Sequence, residues 1–227
     1  MGLLGHAVLA FWHDIANGGD ADFNHWHTEE HIPERVGIPG FLRGRRYEVD
    51  GAGPRYFNLY ETAGLDVLGG PAYVERLQHP TPWTQRTLPL FRNSKRTACR
   101  TVLSLGRGVG GALATLDLAP APGRADALRA WLTGTALPAL SRRPAVSGAH
   151  LCEADVATTQ VKSATAEGSL QDRTDVMASW VVLVEGIDTG TVAAACRAEL
   201  EPAATAARGA APHGAPALYR LAFCLEA

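Results

Sequence analysis

DFNHWHTEEHIP, residues 22–33, and ALRAWLTGTALP, residues 127–138, carry the same three residues at the same three places. Trp26, Thr28 and Pro33 fall on Trp131, Thr133 and Pro138 at one offset of 105. An offset near half of a 227-residue chain points to two tandem copies of one small domain. The order is kept on either side of this stretch. Gly40 pairs with Gly148, Tyr60-Glu61 with Val184-Glu185, and Arg100-Thr-Val-Leu with Arg220-Leu-Ala-Phe.

Each copy reads as strand, helix, strand, strand, helix, strand. In the first, His6–Asp14 is an apolar run of strand formers, and Asp20 or Asp22 caps a helix to about Val36. Strands follow at Phe41–Val49 and Tyr56–Glu61, split by the turn DGAGP. Short helices are expected at Ala72–Leu77 and Thr84–Phe91, then a strand at Thr97–Leu105. The second copy has strands at Ala112–Leu118, Gly148–Glu153, Met177–Glu185 and Ala217–Leu225, with helices at Arg124–Leu140 and Thr191–Glu199. Its polar stretch 155–175 reads as a long mobile loop. The βαββαβ order is the ferredoxin-like motif, so the expected class is α+β. Repeats 1–105 and 106–227 should pack sheet to sheet as an intramolecular α/β barrel, the first carrying the site and the second mainly structural.

The run Phe23-x-x-Trp26-His27-x-x-x-His31-x-Pro33, with Pro39-Gly40-Phe41 and Arg45-Arg46-Tyr47, resembles the dimeric α/β-barrel superfamily. The likeness is nearest to EthD-like and related bacterial proteins, and covers most of 5–105 but only the skeleton of 106–227. It implies a pocket between the sheet and the long first helix of a repeat. The superfamily spans isomerases, cyclases, dehydratases, cofactor-free monooxygenases and haem-binding enzymes, so the fold alone does not select a reaction.

At 100° per residue, Phe23, His27, Glu30, His31 and Glu34 share one helical stripe. The corresponding residues of the second copy, Leu128, Leu132, Thr135, Ala136 and Ala139, are an apolar, core-facing set. Imidazoles in place of hydrocarbon cost roughly 1–3 kcal/mol each unless partnered, so a lined cavity is the economical reading. Period two in the strand Arg55–Glu61 puts Tyr56, Asn58 and Tyr60 on one face, suited to an oxygenated ligand. Of Arg45 and Arg46, one points inward, and Arg46 is preferred, with Arg45 read as a solvated surface charge. His13 ends the first strand within reach of the same cavity, and Trp83, after the Thr81-Pro82 helix start, could close its mouth.

These residues suggest a cofactor-independent lyase, isomerase or cyclase. His31 would be the base, His27 and Glu30 its partners, and Arg46 and Tyr60 the groups that polarise the substrate. Phe23, Glu34, Tyr56, Asn58, His13 and Trp83 would line the ligand, and Glu30 or Glu34 would raise the basicity of the histidines. The alternatives are a haem-binding or cofactor-free monooxygenase and a non-catalytic small-molecule binder.

Other readings are set aside. His27-Thr-Glu-Glu30-His31 spells H-x-x-E-H, but no third ligand is evident, so no metal is expected. Gly106-x-Gly108-x-x-Gly111 matches a phosphate-loop pattern, yet a strand follows it, marking a linker. With 21 basic and 23 acidic residues the chain carries a net charge of −2, which argues against nucleic acid or an anionic membrane as partner. No basic-plus-apolar leader opens it, no apolar run is long enough to span a bilayer, and its four cysteines are scattered. The chain therefore reads as cytoplasmic, acting on a small molecule, as a monomer or homodimer.

Overall fold

The computed structural model describes residues 2–171 and 176–227. Eight strands close one barrel in the order β1-β3-β2-β8-β5-β7-β6-β4, each paired antiparallel with its neighbours. In chain order these are β1 (Ala7–Ile15), β2 (Phe41–Val49), β3 (Tyr56–Thr62), β4 (Phe91–Gly106), β5 (Ala112–Leu118), β6 (Val146–Ala154), β7 (Trp180–Gly186) and β8 (Ala217–Glu226). The two sheets meet by their edges, β2 against β8 and β4 against β6, which leaves no strand edge open. The architecture is α+β, two ferredoxin-like halves in one chain.

The register sharpens the repeat. A bulge lies between Phe41 and Arg43 in β2 and between Val146 and Gly148 in β6, again 105 residues apart. Gly40 therefore corresponds to Ala145, not to Gly148 as the sequence suggested. Both residues have positive φ, +91° at Gly40 and +66° at Ala145. A β-carbon is disfavoured there by about 1 kcal/mol. Ala145→Gly should therefore raise stability by up to about 1 kcal/mol, read as a higher urea midpoint at unchanged slope. An unchanged or lower midpoint would remove the repeat alignment as the reason for that backbone.

The long helix α1 runs as Asp20–Trp26, a π-helical turn His27–His31, and Ile32–Val36. The second repeat copies it as α5, with Ala125–Trp131, a π turn Leu132–Ala136, and Leu137–Ser141. Proline cannot donate to an α-helical ladder, and in both copies the wider turn stands directly before Pro33 or Pro138. Between α1 and β4 the first repeat has α2 (Leu65–Gly69), α3 (Pro71–Gln78) and α4 (Pro82–Thr87). Thr81 caps α4 through its hydroxyl, which accepts from the Thr84 amide at 3.0 Å.

The stretch 155–175 is an insertion between β6 and β7, where the first repeat has only the Asp50–Arg55 turn. Its described part, to Gln171, is not a plain loop. It forms α6 (Val156–Gln160), a 3-10 turn (Val161–Ala164) and α7 (Ala166–Ser169), with Asp155 and Thr165 capping the helices. It packs on the first repeat: the Ala98 amide donates to Thr159 Oγ1 at 2.9 Å, and the Ala166 amide to Gln78 Oε1 at 3.1 Å. These tertiary bonds offset the ordering cost that a polar segment could not meet alone. Residues 172–175 of that expectation lie outside the described residues. The second repeat continues with α8 (Thr189–Glu199) and α9 (Pro202–Ala207) before β8.

The barrel interior is an apolar core, including Val8, Trp12, Phe57, Leu113, Val181 and Tyr219, with a chain of buried charges at one end. Glu61 pairs with both Arg43 and Arg45 at 2.8 Å, and Arg45 reaches Glu185 at 2.9 Å. Glu185 lies 3.4 Å from His150, whose Nδ1 is 2.9 Å from Ser104 Oγ. Burial opposes the charge on Glu185, but the Arg45 guanidinium beside it holds the carboxyl at about 2. Arg45 is thus no surface charge, because alternate residues of a closed barrel face its interior and never water.

Candidate functional site

Outside the barrel, α1 lies across the β1, β2 and β3 surface. Gly44 permits the approach: a β-carbon there would meet Ile32 Cγ2 at 2.9 Å and the Tyr60 ring at 3.2 Å. Between helix and sheet lies a cavity lined by Trp26, His27, His31 and Arg35 of α1, with Leu9, Phe11, Phe41, Asn58, Tyr60, Leu88, Phe91 and Arg96. Tyr73 of α3 and Lys162 and Glu167 of the insertion complete its wall. About 30 Å³ is open to the centres of water molecules, room for about two of them, so a ring system enters only as the wall yields.

The matching space in the second repeat is filled. Leu132, Ala136 and Leu140 stand where His27, His31 and Arg35 stand, with Val182 and Val184 in place of Asn58 and Tyr60, all buried in one hydrocarbon cluster. Polar groups in the first repeat therefore replace core side chains position by position.

His27 Nε2 lies 3.1 Å from the Tyr60 hydroxyl. The His27 and His31 rings stack with centroids 5.4 Å apart, and His31 rests on Trp26 at 4.3 Å. Among the described residues His31 has no hydrogen-bond partner, and Nδ1 of both histidines is buried without one. Burial, then the Arg46 guanidinium, holds the His27 pKa well below 6.5. For His31 the causes are burial and Arg35. Both rings are neutral near pH 7 and can accept a proton. The Tyr60 phenol is pushed up by burial and keeps its proton, so it is a donor.

Of the residues singled out by sequence, His27, His31, Asn58 and Tyr60 meet at the cavity. The others surround it without lining it. Glu30 accepts from Trp26 Nε1 at 3.0 Å and from Thr81 Oγ1 at 2.6 Å. Glu34 turns to Arg35 and Arg76, at 3.6 and 3.7 Å. Among the described residues no carboxylate pairs with either histidine, and burial with the nearby guanidinium groups gives a decrease in basicity in place of the expected increase. Arg46 shares the site's face of β2, but its guanidinium donates to Thr28 Oγ1 at 2.9 Å and to the Asn24 carbonyl at 3.2 Å. His13 stands behind the wall, 2.9 Å from Asn58 Nδ2, its pKa lowered by burial to about 3. Phe23 packs on His13 and His27, while Tyr56 donates to Asp20 at 2.9 Å. Trp83 donates to Asp22 Oδ1 at 3.2 Å, away from the mouth.

The misplacement of Glu30 and Glu34 has one cause. A π turn bonds i to i+5 and adds about one residue to its turn, so the inward row is Phe23, His27, His31, Arg35. A uniform 100° wheel put Glu30 and Glu34 there and missed Arg35. Continuing the i+4 spacing from Phe23 would have found it. Arg96 could be reached only through its pairing opposite Phe11, and Lys162 and Glu167 only through the tertiary fold.

Buried neutral histidines make stability depend on pH. The unfolded chain binds protons near pH 6.5 that folded His13, His27 and His31 refuse, so this contribution is complete above that pH and is lost as pH falls. Each adds up to about 1.4 kcal/mol per pH unit below about pH 6. Urea titrations at pH 7.5 and 5.0 should show a clear loss that shrinks by about a third in His13→Asn. Equal stability at both values would mean these rings protonate in the folded state.

Among the described residues no group of three or more His, Cys, Asp or Glu side chains is placed to hold a metal ion. Of the two imidazoles at the cavity, His27 has its Nε2 against the Tyr60 hydroxyl, and His31 is the one without a hydrogen-bond partner among the described residues. No helix among the described residues is long and apolar enough to cross a membrane.

No family model matches the chain, and no curated protein matches its sequence. Solved structures do resemble it. An anthrone oxidase-like protein superposes with TM-score 0.65 at 13% identity, covering 97% of this chain and 92% of that one. A protein provisionally named a monooxygenase, from Fusobacterium nucleatum subsp. nucleatum, gives 0.62 at 7% identity, covering 99% and 96%. Another, provisionally named a chlorite dismutase, gives 0.57 at 13%, covering 96% and 94%. At these identities the likeness is one of fold. The chain shares with them the fold, an α/β barrel of two ferredoxin-like halves, here in one polypeptide.

Proposed function

We propose that this protein is an acid–base enzyme that removes a proton from an enolisable C–H of a small, largely apolar, oxygenated molecule. The carrying observation is His31, a neutral imidazole without a hydrogen-bonding partner among the described residues, facing a cavity whose counterpart in the second repeat is hydrocarbon. His31 accepts the proton, and the C–H electron pair moves onto the substrate carbonyl to form an enolate. Tyr60, held by His27, donates to the developing oxyanion. Asn58 orients the carbonyl and the aromatic walls hold the rings. Return of the proton at another carbon gives isomerisation, and loss of a leaving group gives elimination.

A second reading, cofactor-free oxidation by dioxygen, is favoured by neighbours named as anthrone oxidase-like and as monooxygenase. It shares the first step. With anthrone, the carbanion combines with one O₂. One oxygen stays as the new carbonyl of anthraquinone, and the other leaves with the two displaced hydrogens as water.

Anthrone, 2-tetralone and an unsaturated lactone, each incubated with the protein in D₂O under nitrogen and then under air, test both readings. Deuterium uptake above the buffer rate supports the acid–base reading, and oxygen consumption with quinone formation supports the second. Exchange no faster than in buffer for all three, with no thermal shift, would overturn the assignment.

A further inference from the structure

Buried charges in proteins are paired, because an isolated ion taken out of water costs far more than ordinary packing can offset. The cavity beside α1 departs from that pattern. Arg35 and Arg96 line it at 2% and 3% exposure, and the carboxylate lining it is Glu167, at 2%. Glu167 is bound to Arg35, which also has Glu34 at 3.6 Å. Among the described residues Arg96 has neutral partners: it donates to the Thr159 carbonyl at 3.0 Å and to the Tyr73 hydroxyl at 3.1 Å. The same Tyr73 carries the Arg35 guanidinium over its ring, 5.6 Å from the centroid, so one tyrosine bridges the two cations.

The fold does not require this arrangement. At the place of Arg35 the second repeat has Leu140, fully buried in hydrocarbon. Arg35 is answered by Glu167 and Glu34, whereas Arg96, among the described residues, stands at the void with neutral partners.

From this juxtaposition we propose that Arg96, with Arg35 beside it, forms a carboxylate-binding subsite, so that the cavity selects a flat, largely apolar acid whose carboxylate pairs with Arg96. Guanidinium forks match carboxylate geometry, and the ring of such an acid would lie among Phe11, Trp26 and Phe91. Glu167 occupies Arg35 in the empty site and competes with the ligand for it. The inference deepens the acid–base reading, on which it rests for the carbon chemistry but not for binding.

Benzoate and its neutral isostere benzamide are the probes, read by calorimetry and thermal shift. Benzoate should bind and raise Tm, and benzamide should do neither. Arg96→Met should weaken benzoate at least about tenfold, with Arg96→Lys recovering part of the loss. Glu167→Gln should tighten it about tenfold, the opposite of what a merely structural ion pair would give. Equal binding of the two probes, no benzoate binding, or weaker binding in Glu167→Gln each overturns the subsite. Should Arg96→Met fail to fold, the Glu167→Gln and benzamide arms still decide. His31→Ala should keep its benzoate affinity. Benzoate binding without His31-dependent proton exchange would overturn the acid–base reading alone, and exchange without benzoate binding the subsite alone.

Discussion

Replacing His31 by alanine should lower the rate of substrate deprotonation at least a hundredfold while the protein still folds. General-base catalysis by a positioned side chain contributes on the order of 10² to 10⁴. His31 is the imidazole at the cavity without a hydrogen-bond partner among the described residues, so its loss breaks no hydrogen bond to them. The expected structural cost is that of its packing against Trp26 and His27, seen as a modest drop in Tm. The rate is read as deuterium uptake into an enolisable substrate. Its pH profile should stay flat down to pH values well below 6.5, because burial and Arg35 keep His31 unprotonated there. Tyr60→Phe should act on the same step with a smaller effect, since it removes the oxyanion donor and leaves the base. A His31→Ala protein that exchanges at the parental rate would clear His31 of the role and direct attention to His27.

Removing the Glu61 carboxylate should be the most damaging single change to stability. Arg43 and Arg45 both pair with it, and the Leu4 amide donates to it at 2.7 Å, all at the closed end of the barrel. Glu61→Ala would leave Arg45, fully buried, with Glu185 as its remaining carboxylate. Breaking a buried pair from one side typically costs about 3–5 kcal/mol, because an uncompensated charge stays behind. The urea midpoint should fall accordingly, and the Leu4 amide loses its acceptor. Replacing Arg45 by Met and Glu185 by Leu together should cost less than the sum of the two single changes, since neither charge is then left facing the other's absence. Additive losses in that double variant would show that the two groups are not coupled.

The tandem repeat was legible because it rests on residues with one physical job in both copies. Pro33 and Pro138 each follow a π turn, and Trp26 and Trp131 recur at the same helix position. The strand order followed from period-two patterning, and the substitution of imidazole for hydrocarbon was visible by comparing the copies. The alternation that put Tyr60 and Asn58 on one face also held, since side-chain period in a strand is geometric.

The sequence by itself thus determined the two-fold architecture, the helix that carries the site, and the presence of His27, His31, Asn58 and Tyr60 on facing surfaces. Tertiary structure alone decided the electrostatics. Residues far apart in the chain, Arg35 with Glu167 and Arg96 with Thr159, are brought together by an insertion whose polar sequence holds no periodic signal. A helical wheel assumes one pitch and cannot foresee a π turn, and no local pattern records how much water a folded chain removes from an ionisable group. Burial, set by the whole fold, is what leaves the two histidines neutral at a cavity lined by two guanidinium groups.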